Sequence, residues 1–388
     1  MLLNSPGLSL LVGKKASLAC VLLISFSLAT MFASGVSADS PALGSGEDPA
    51  GLTRHVLQHD GVERQYLVYT PPSLAGEELP LLLALHGYGT TASGFAAIYG
   101  LNEHASATGY RVVYPQGSHF MGGFGESPQA NDYLVTSWND LGSNFTPSAK
   151  GPHCTEDRLK YPCPEECGSC NHCAWTSCYD DAGFLGQVLN EVEADYSTNA
   201  SRVYILGVSN GAMMAMRLAC NMPERFAGAV ALIATMPPGF ECAPGISLPL
   251  LHLAGAKDDT VGYDGSATTS GWIFASVKDT QAFWAQGMGC EGVVSPGRTA
   301  LTETQGLQCT TINRCQIKDH QVVSCLDPEA AHEWRGQRDQ KIPANCVYPI
   351  QTQTFPGQPA CTAYSREKTP WGMDLAWEFL SRYQRKGS

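Results

Sequence analysis

Charge is scarce in this chain, and positive charge scarcer still. Only 15% of its 388 residues are charged, with 36 acidic against 24 basic side chains and a formal net charge of −12. A surface of that sign repels nucleic acid and other polyanions, which argues against them as partners. Long apolar runs are missing beyond the N-terminus. Nothing after residue 38 approaches the roughly 20 apolar residues of a membrane span, so no stable membrane insertion is expected there. Internal repeats and composition breaks are absent too, and a single domain over residues 39–388 is the expectation.

The N-terminus itself carries a secretory pattern. Lys14 and Lys15 precede the apolar "ASLACVLLISFSLATMFA", which runs into small residues with Val36 and Ala38 placed as a cleavage site. Residues 1–38 read as a signal peptide. The run is long for that role, so an uncleaved signal anchor is the alternative. Loss of Cys20 with the signal leaves an even 14 of the 15 cysteines, which in an oxidising compartment points to disulfides. Asn144 (NFT) and Asn199 (NAS) are glycosylation acceptors for a secreted, extracellular chain.

Downstream, strand and helix patterns alternate. "RQYLVYTPP" (64–72) alternates as a half-buried strand and ends at Pro71 and Pro72. "LPLLLALHG" (79–87) is continuously apolar, as a strand covered on both faces must be, and 110–117, 202–208, 228–234 and 248–255 repeat that signature. Helical spacing appears over 180–196, 210–221, 276–287 and 373–383. The expected fold is α/β, a mostly parallel sheet with helices on both faces, carrying Cys-rich insertions near 141–178 and 290–361.

One strand-to-helix junction holds a serine between glycines: Gly207, Val208, Ser209, Asn210, Gly211. With 40 glycines in the chain, such a string is expected on the order of 0.3 times by chance, so its context must carry the weight. The buried strand before it and the helix after it are the context of a hydrolase nucleophile. A serine nucleophile needs a base, and in this fold the chain order is Ser, acid, His. Three histidines follow Ser209. His252 lies inside an apolar strand and reads as a hydrogen-bonded core residue; His320, between Cys315 and Cys325 in an alternating stretch that reads as a strand, and His332, in the loop "PEAAHEWRG", remain. The acid belongs at the end of a late strand, where "LAGAKDDTVGYDG" offers Asp258 and Asp259. For the oxyanion, the backbone N–H of Asn210 is one donor, and the loop "LHGYGTTASG" with His86, Gly87, Tyr88 and Gly89 supplies the second, taken as Tyr88.

The first insertion, "HCTEDRLKYPCPEECGSCNHCAWTSC", holds six cysteines with His153 and His172. Two Cys-x-x-Cys steps resemble zinc ligands, but secretion favours a disulfide-stapled loop, since oxidised sulfur does not ligate zinc as thiolate. Cys220 and Cys242 are expected to pair near the serine; Cys290, Cys309, Cys315, Cys325, Cys346 and Cys361 are expected to staple the loops around His332. Both insertions are expected to rim the site.

Taken together, these segments resemble the secreted esterase family that contains poly(3-hydroxybutyrate) depolymerases and feruloyl esterases, over most of residues 55–385. The resemblance rests on "LLLALHGYG", "VVYPQG", Trp138–Asn139 in "TSWND", "YDDAGFL" and "RVYILGVSNGAMMAMRLAC". It selects Asp258 through the spacing to Val261 and Tyr263, and His332 through "AHEWRG". The chain departs from the family at Ala254, Ala331 and Arg335, where His, Gly and Pro are common. The resemblance implies an α/β-hydrolase fold and a serine carboxylesterase with no metal or organic cofactor. Its substrate would be a feruloyl or acetyl ester on a polysaccharide, or else a polyhydroxybutyrate polyester. A catalytically inactive, glycan-binding relative is the reading of another class.

Overall fold

The computed structural model describes residues 48–122, 133–140, 179–237, 240, 242, 248–268, 273–292, 294–337, 342–361 and 370–385. The expected signal peptide, Asn144 and the first Cys-rich insertion lie outside them.

The centre of the molecule is a run of six parallel strands. In chain order they are β3 (Leu79–Leu85), β4 (Arg111–Pro115), β7 (Thr198–Val208), β8 (Gly228–Leu232), β9 (Leu250–Gly255) and β12 (Val322–Asp327). The antiparallel hairpin β1 (Leu52–His59) and β2 (Val62–Tyr69) extends one edge. The strands β10 (Ser295–Pro296) and β11 (Gln308–Ile312) extend the other, giving the order β1-β2-β4-β3-β7-β8-β9-β12-β11-β10. A separate hairpin joins β5 (Ser118–Gly122) to β6 (Tyr133–Ser137).

Period-two alternation decides which side chains meet which helices. Leu81, Leu83 and Leu85 of β3 face a core shared with α3 (Asp181–Asp195), α4 (Asn210–Asn221) and α5 (Val277–Gly287). Leu82 and Ala84 face the opposite core, with α1 (Ala92–Tyr99), α2 (Leu101–Thr108) and α7 (Gly372–Leu380). Helices therefore cover both faces, which is why these strands tolerate unbroken apolar sequence.

The two halves of the 290–361 segment behave differently. Residues 295–327 are not a loop excursion: they carry α6 (Ala300–Thr304) and extend the sheet, with Cys309–Cys325 bridging paired positions of β11 and β12. The strand expected from Cys315 onward begins only at Val322. Cys290–Cys315 and Cys220–Cys242 are also bonded, the latter pair as expected. Cys346–Cys361 closes a compact loop before α7. Among the described residues, no helix is long and apolar enough to cross a membrane.

Candidate active site

Ser209 stands between β7 and α4 with φ +53° and ψ −124°, a backbone conformation that L-residues rarely hold. Its neighbours explain why it stays there. A Cβ on Gly207 would lie 2.1 Å from the Gly211 carbonyl, and one on Gly211 would lie 2.3 Å from that of His86. Only glycine permits the strand, the turn and the helix start to approach so closely. The Ser209 N–H donates to Leu232 O at 2.9 Å, tying the turn to β8.

The chain expected around this serine is assembled. Ser209 Oγ lies 3.0 Å from His332 Nε2, and His332 Nδ1 lies 2.8 Å from Asp258 Oδ2. Asp258 sits in the turn after β9, where its Oδ1 accepts the Thr260 and Val261 N–H groups at 2.9 and 2.8 Å. Those two bonds occupy Oδ1 and leave Oδ2 aimed at the imidazole. Asp259 is exposed. The loop bearing His332 is bonded to the Asp258 turn through Ala256 N–H to Asp327 O and Lys257 N–H to Ala330 O. Arg335, found where the resembling family has proline, forks onto buried Asp327 with two 2.7 Å bonds.

The other histidines hold structure. His252 Nε2 bonds Ala234 O within β9's surroundings, and burial lowers its pKa to about 4. His320 lies at the amino end of β12, away from Asp327, with its ring against Tyr383. His86 accepts the Gly117 N–H at Nε2 (2.9 Å), so Nδ1 carries the proton and donates to Gly87 O (2.9 Å); burial again lowers the pKa to about 4. A neutral, doubly bonded His86 thereby shapes the Gly87–Tyr88–Gly89 loop, which is also pinned by Gly89 N–H to Thr136 O.

Trp138 was noticed in the sequence only as part of a motif; here it joins both sides of the serine. Its backbone N–H and C=O are held by the Asn210 carboxamide, and its indole N–H donates to His86 O at 2.8 Å. Asn139 N–H in turn donates to Asp181 Oδ2, and Asp181 is paired with buried Arg64 at 2.6 Å.

Beside Ser209 and His332 lies a cavity of about 510 Å³ that Tyr88 also lines. Its walls are mainly apolar: Phe95, Ile98 and Tyr99 from α1, Val261 and Phe274, and the Ile342–Ala344 segment. That last segment had no motif to announce it. It is fastened to α1, since Thr91 N–H donates to Ala344 O and Ser93 N–H to Gln351 Oε1.

A strained serine on a strand-to-helix turn, beneath a histidine and a buried carboxylate at the carboxyl ends of parallel strands, agrees with an independent likeness. A phospholipase/carboxylesterase family model matches residues 185–291, the stretch from α3 through α5 that contains Ser209 and Asp258.

The chain has the α/β-hydrolase fold.

Among curated proteins, the chain is 27% identical over 211 residues to the putative esterase NocK of Nocardia uniformis subsp. tsuyamanensis, covering 54% of this chain and 49% of that one. It is 26% identical over 145 residues to feruloyl esterase B of Piromyces equi, covering 35% and 26% respectively. The matches thus span half or less of those relatives' lengths. Among solved structures, acetyl xylan esterase from Aspergillus awamori aligns with a TM-score of 0.45 at 14% identity, over 72% of this chain and 94% of that one.

Among the described residues, His59, Asp60 and Asp180 bring possible metal ligands within 4.8 Å of one another. Asp180 already caps α3 and His59 bonds Gln187, so these groups serve the local fold.

Proposed function

We propose that this α/β-hydrolase is a secreted serine carboxylesterase acting on hydroxycinnamoyl (feruloyl) or acetyl esters of polysaccharides. The observation that carries the reading is the 3.0 and 2.8 Å chain Ser209–His332–Asp258 at the wall of an apolar cavity. In this reading His332 takes the Ser209 proton as Oγ attacks the ester carbonyl, and Asp258 holds the imidazole tautomer and stabilises the imidazolium. The backbone N–H groups of Asn210 and Tyr88 receive the developing oxyanion. His332 then returns the proton to the leaving alcohol, and water releases the acid by the reverse sequence.

The cavity favours the aromatic acyl group. An acetyl group would leave most of 510 Å³ unfilled, whereas a phenyl-propenoyl chain meets Phe95, Tyr99 and Phe274. The relative named feruloyl esterase B supports the same class. Secretion, with residues 1–38 removed and 39–388 as one domain, is supported by four disulfides among the described residues.

The test is hydrolysis of methyl ferulate, acetylated xylan and a hydroxybutyrate film side by side, with Ser209→Ala as control. Preference for methyl ferulate is expected. Preference for the film would replace the polysaccharide ester by a polyester, and absence of hydrolysis with no fluorophosphonate labelling would leave a binding protein.

A further inference from the structure

A second cavity, of about 600 Å³, lies beside the β1–β2 edge of the sheet. Its wall includes Arg54 of β1, Arg64 and Gln65 of β2, His119 after β4, and Thr354 of the Cys346–Cys361 loop. Because β2 runs antiparallel to β4 with Tyr66 opposite Pro115, Gln65 sits at the carboxyl end of the parallel strands, the end that bears Ser209. The order β2-β4-β3-β7 separates them by three strand steps, about 14 Å at the usual inter-strand spacing.

Donors dominate this wall. Arg54 gives Nε to Gln65 Oε1 at 2.7 Å and Nη2 to Thr354 Oγ1 at 3.1 Å. Both acceptors are neutral, and no carboxylate among the described residues pairs with this guanidinium. The same contact fixes the amide orientation, since the oxygen must face Arg54. Gln65 Nε2 is then turned away and buried, with no hydrogen-bond partner among the described residues, in a residue only 5% exposed. Leaving such a donor unmade costs about 1–3 kcal/mol, a penalty that a ligand acceptor would remove. The Arg64 charge is matched by Asp181. His119, whose ring meets Phe355 edge-on, is pushed down from its usual pKa first by burial and then by Arg64. Glu63 also lines the cavity, and it is exposed.

We propose that this cavity is a subsite for a carboxylate on a hydroxylated framework, occupied by a uronate residue of the polysaccharide whose ester is cleaved at Ser209. A guanidinium with no carboxylate partner among the described residues is suited to a carboxylate, and the Gln65 amide and Thr354 hydroxyl match sugar oxygens. The uronate half of the assignment rests on the polysaccharide-esterase reading. The same chemistry occurs at the free acid end of a hydroxyalkanoate oligomer, so both sources belong in the test.

Binding is measured by calorimetry on the purified Ser209→Ala chain, which makes it independent of turnover. The probes are glucuronosyl-xylotriose, plain xylotriose and a hydroxybutyrate dimer. The glucuronosyl sugar should bind at least tenfold tighter than xylotriose. Adding Arg54→Ala or Gln65→Glu should each weaken it at least tenfold at unchanged melting temperature. Equal binding of the two sugars, or undiminished binding after Arg54→Ala, overturns the subsite. Binding of the hydroxybutyrate dimer in place of the sugar overturns the uronate assignment. Separately, failure of the parent with Ser209 intact to hydrolyse methyl ferulate would sink the esterase reading, while the calorimetry still decides the subsite.

Discussion

The carboxamide of Asn210 grips the main chain of Trp138 from both sides, accepting its N–H at 2.7 Å and donating to its C=O at 3.1 Å. Trp138 is thereby fixed to the residue that follows Ser209, while its indole holds His86, which precedes the Gly87–Tyr88 loop. The two proposed oxyanion donors are thus registered through one side chain.

Trp138→Phe keeps most of the apolar volume and deletes the bond to His86 O. Leaving that buried carbonyl unpaired should destabilise the fold by about 1–3 kcal/mol. Outright loss of an oxyanion donor costs about 10²–10³ in kcat, so a displaced one should cost on the order of tenfold. Steady-state kinetics on methyl ferulate should show the loss in kcat with KM nearly unchanged. A variant losing only KM would mean that Trp138 does not position these donors.

Asp258→Asn tests the imidazole tautomer. The Thr260 and Val261 N–H groups will keep an oxygen on their side, so the new amide NH2 faces His332 Nδ1. That forces the ring proton onto Nε2, where it blocks proton uptake from Ser209. A kcat loss on the order of 10⁴ is expected, with an unchanged melting temperature.

Ser209→Gly and Ser209→Ala should both be inactive but differ in stability. The φ of +53° strains any side-chain-bearing residue, by roughly 1–3 kcal/mol, and glycine removes that strain while adding about 0.4–1 kcal/mol of unfolded-state entropy. Glycine should therefore be the more stable variant by about 1 kcal/mol, read from denaturant midpoints. Equal midpoints would show that the turn stores no strain.

Acid should weaken the fold through its buried imidazoles. His86 and His252 have pKa values lowered to about 4 from 6.5. Between those values the unfolded chain binds the protons and the native chain does not. Stability therefore falls as pH drops from about 6.5 to about 4, by up to about 1.4 kcal/mol per pH unit for each histidine. His252→Gln keeps a donor for Ala234 O and removes one titrating group, so urea unfolding across this range should show a flatter profile.

Much of this was legible because the parallel strands are buried on both faces and so read as apolar runs. Helix α1 was not. All eight of its residues are buried, so no polar face marks its period. Strand β1 hides for the opposite reason, its "LTRHVLQH" lacking clean alternation on a partly exposed edge. Ser209 carried its own local context, but its base did not. His320 and His332 flank the same strand, β12, and residue spacing alone does not say which end faces the serine. Parallel pairing of β12 with β9 puts Asp327, and with it His332, beside the Asp258 turn. The Ile342–Ala344 wall was missed because a loop that lines a cavity needs neither periodicity nor motif.

The disulfide Cys346–Cys361 brings its two Cα atoms to 4.9 Å. Just ahead of it Ile342–Ala344 line the cavity at Ser209; inside it Thr354 lines the donor-rich cavity near β2. In the proposed reading, recognition on both sides of the reacting bond falls to one tethered stretch of about twenty residues. Such a stretch would then be a cassette: exchanged between related chains around the Cys346–Cys361 closure, it would redirect the proposed esterase to another ester without touching Ser209, Asp258 or His332.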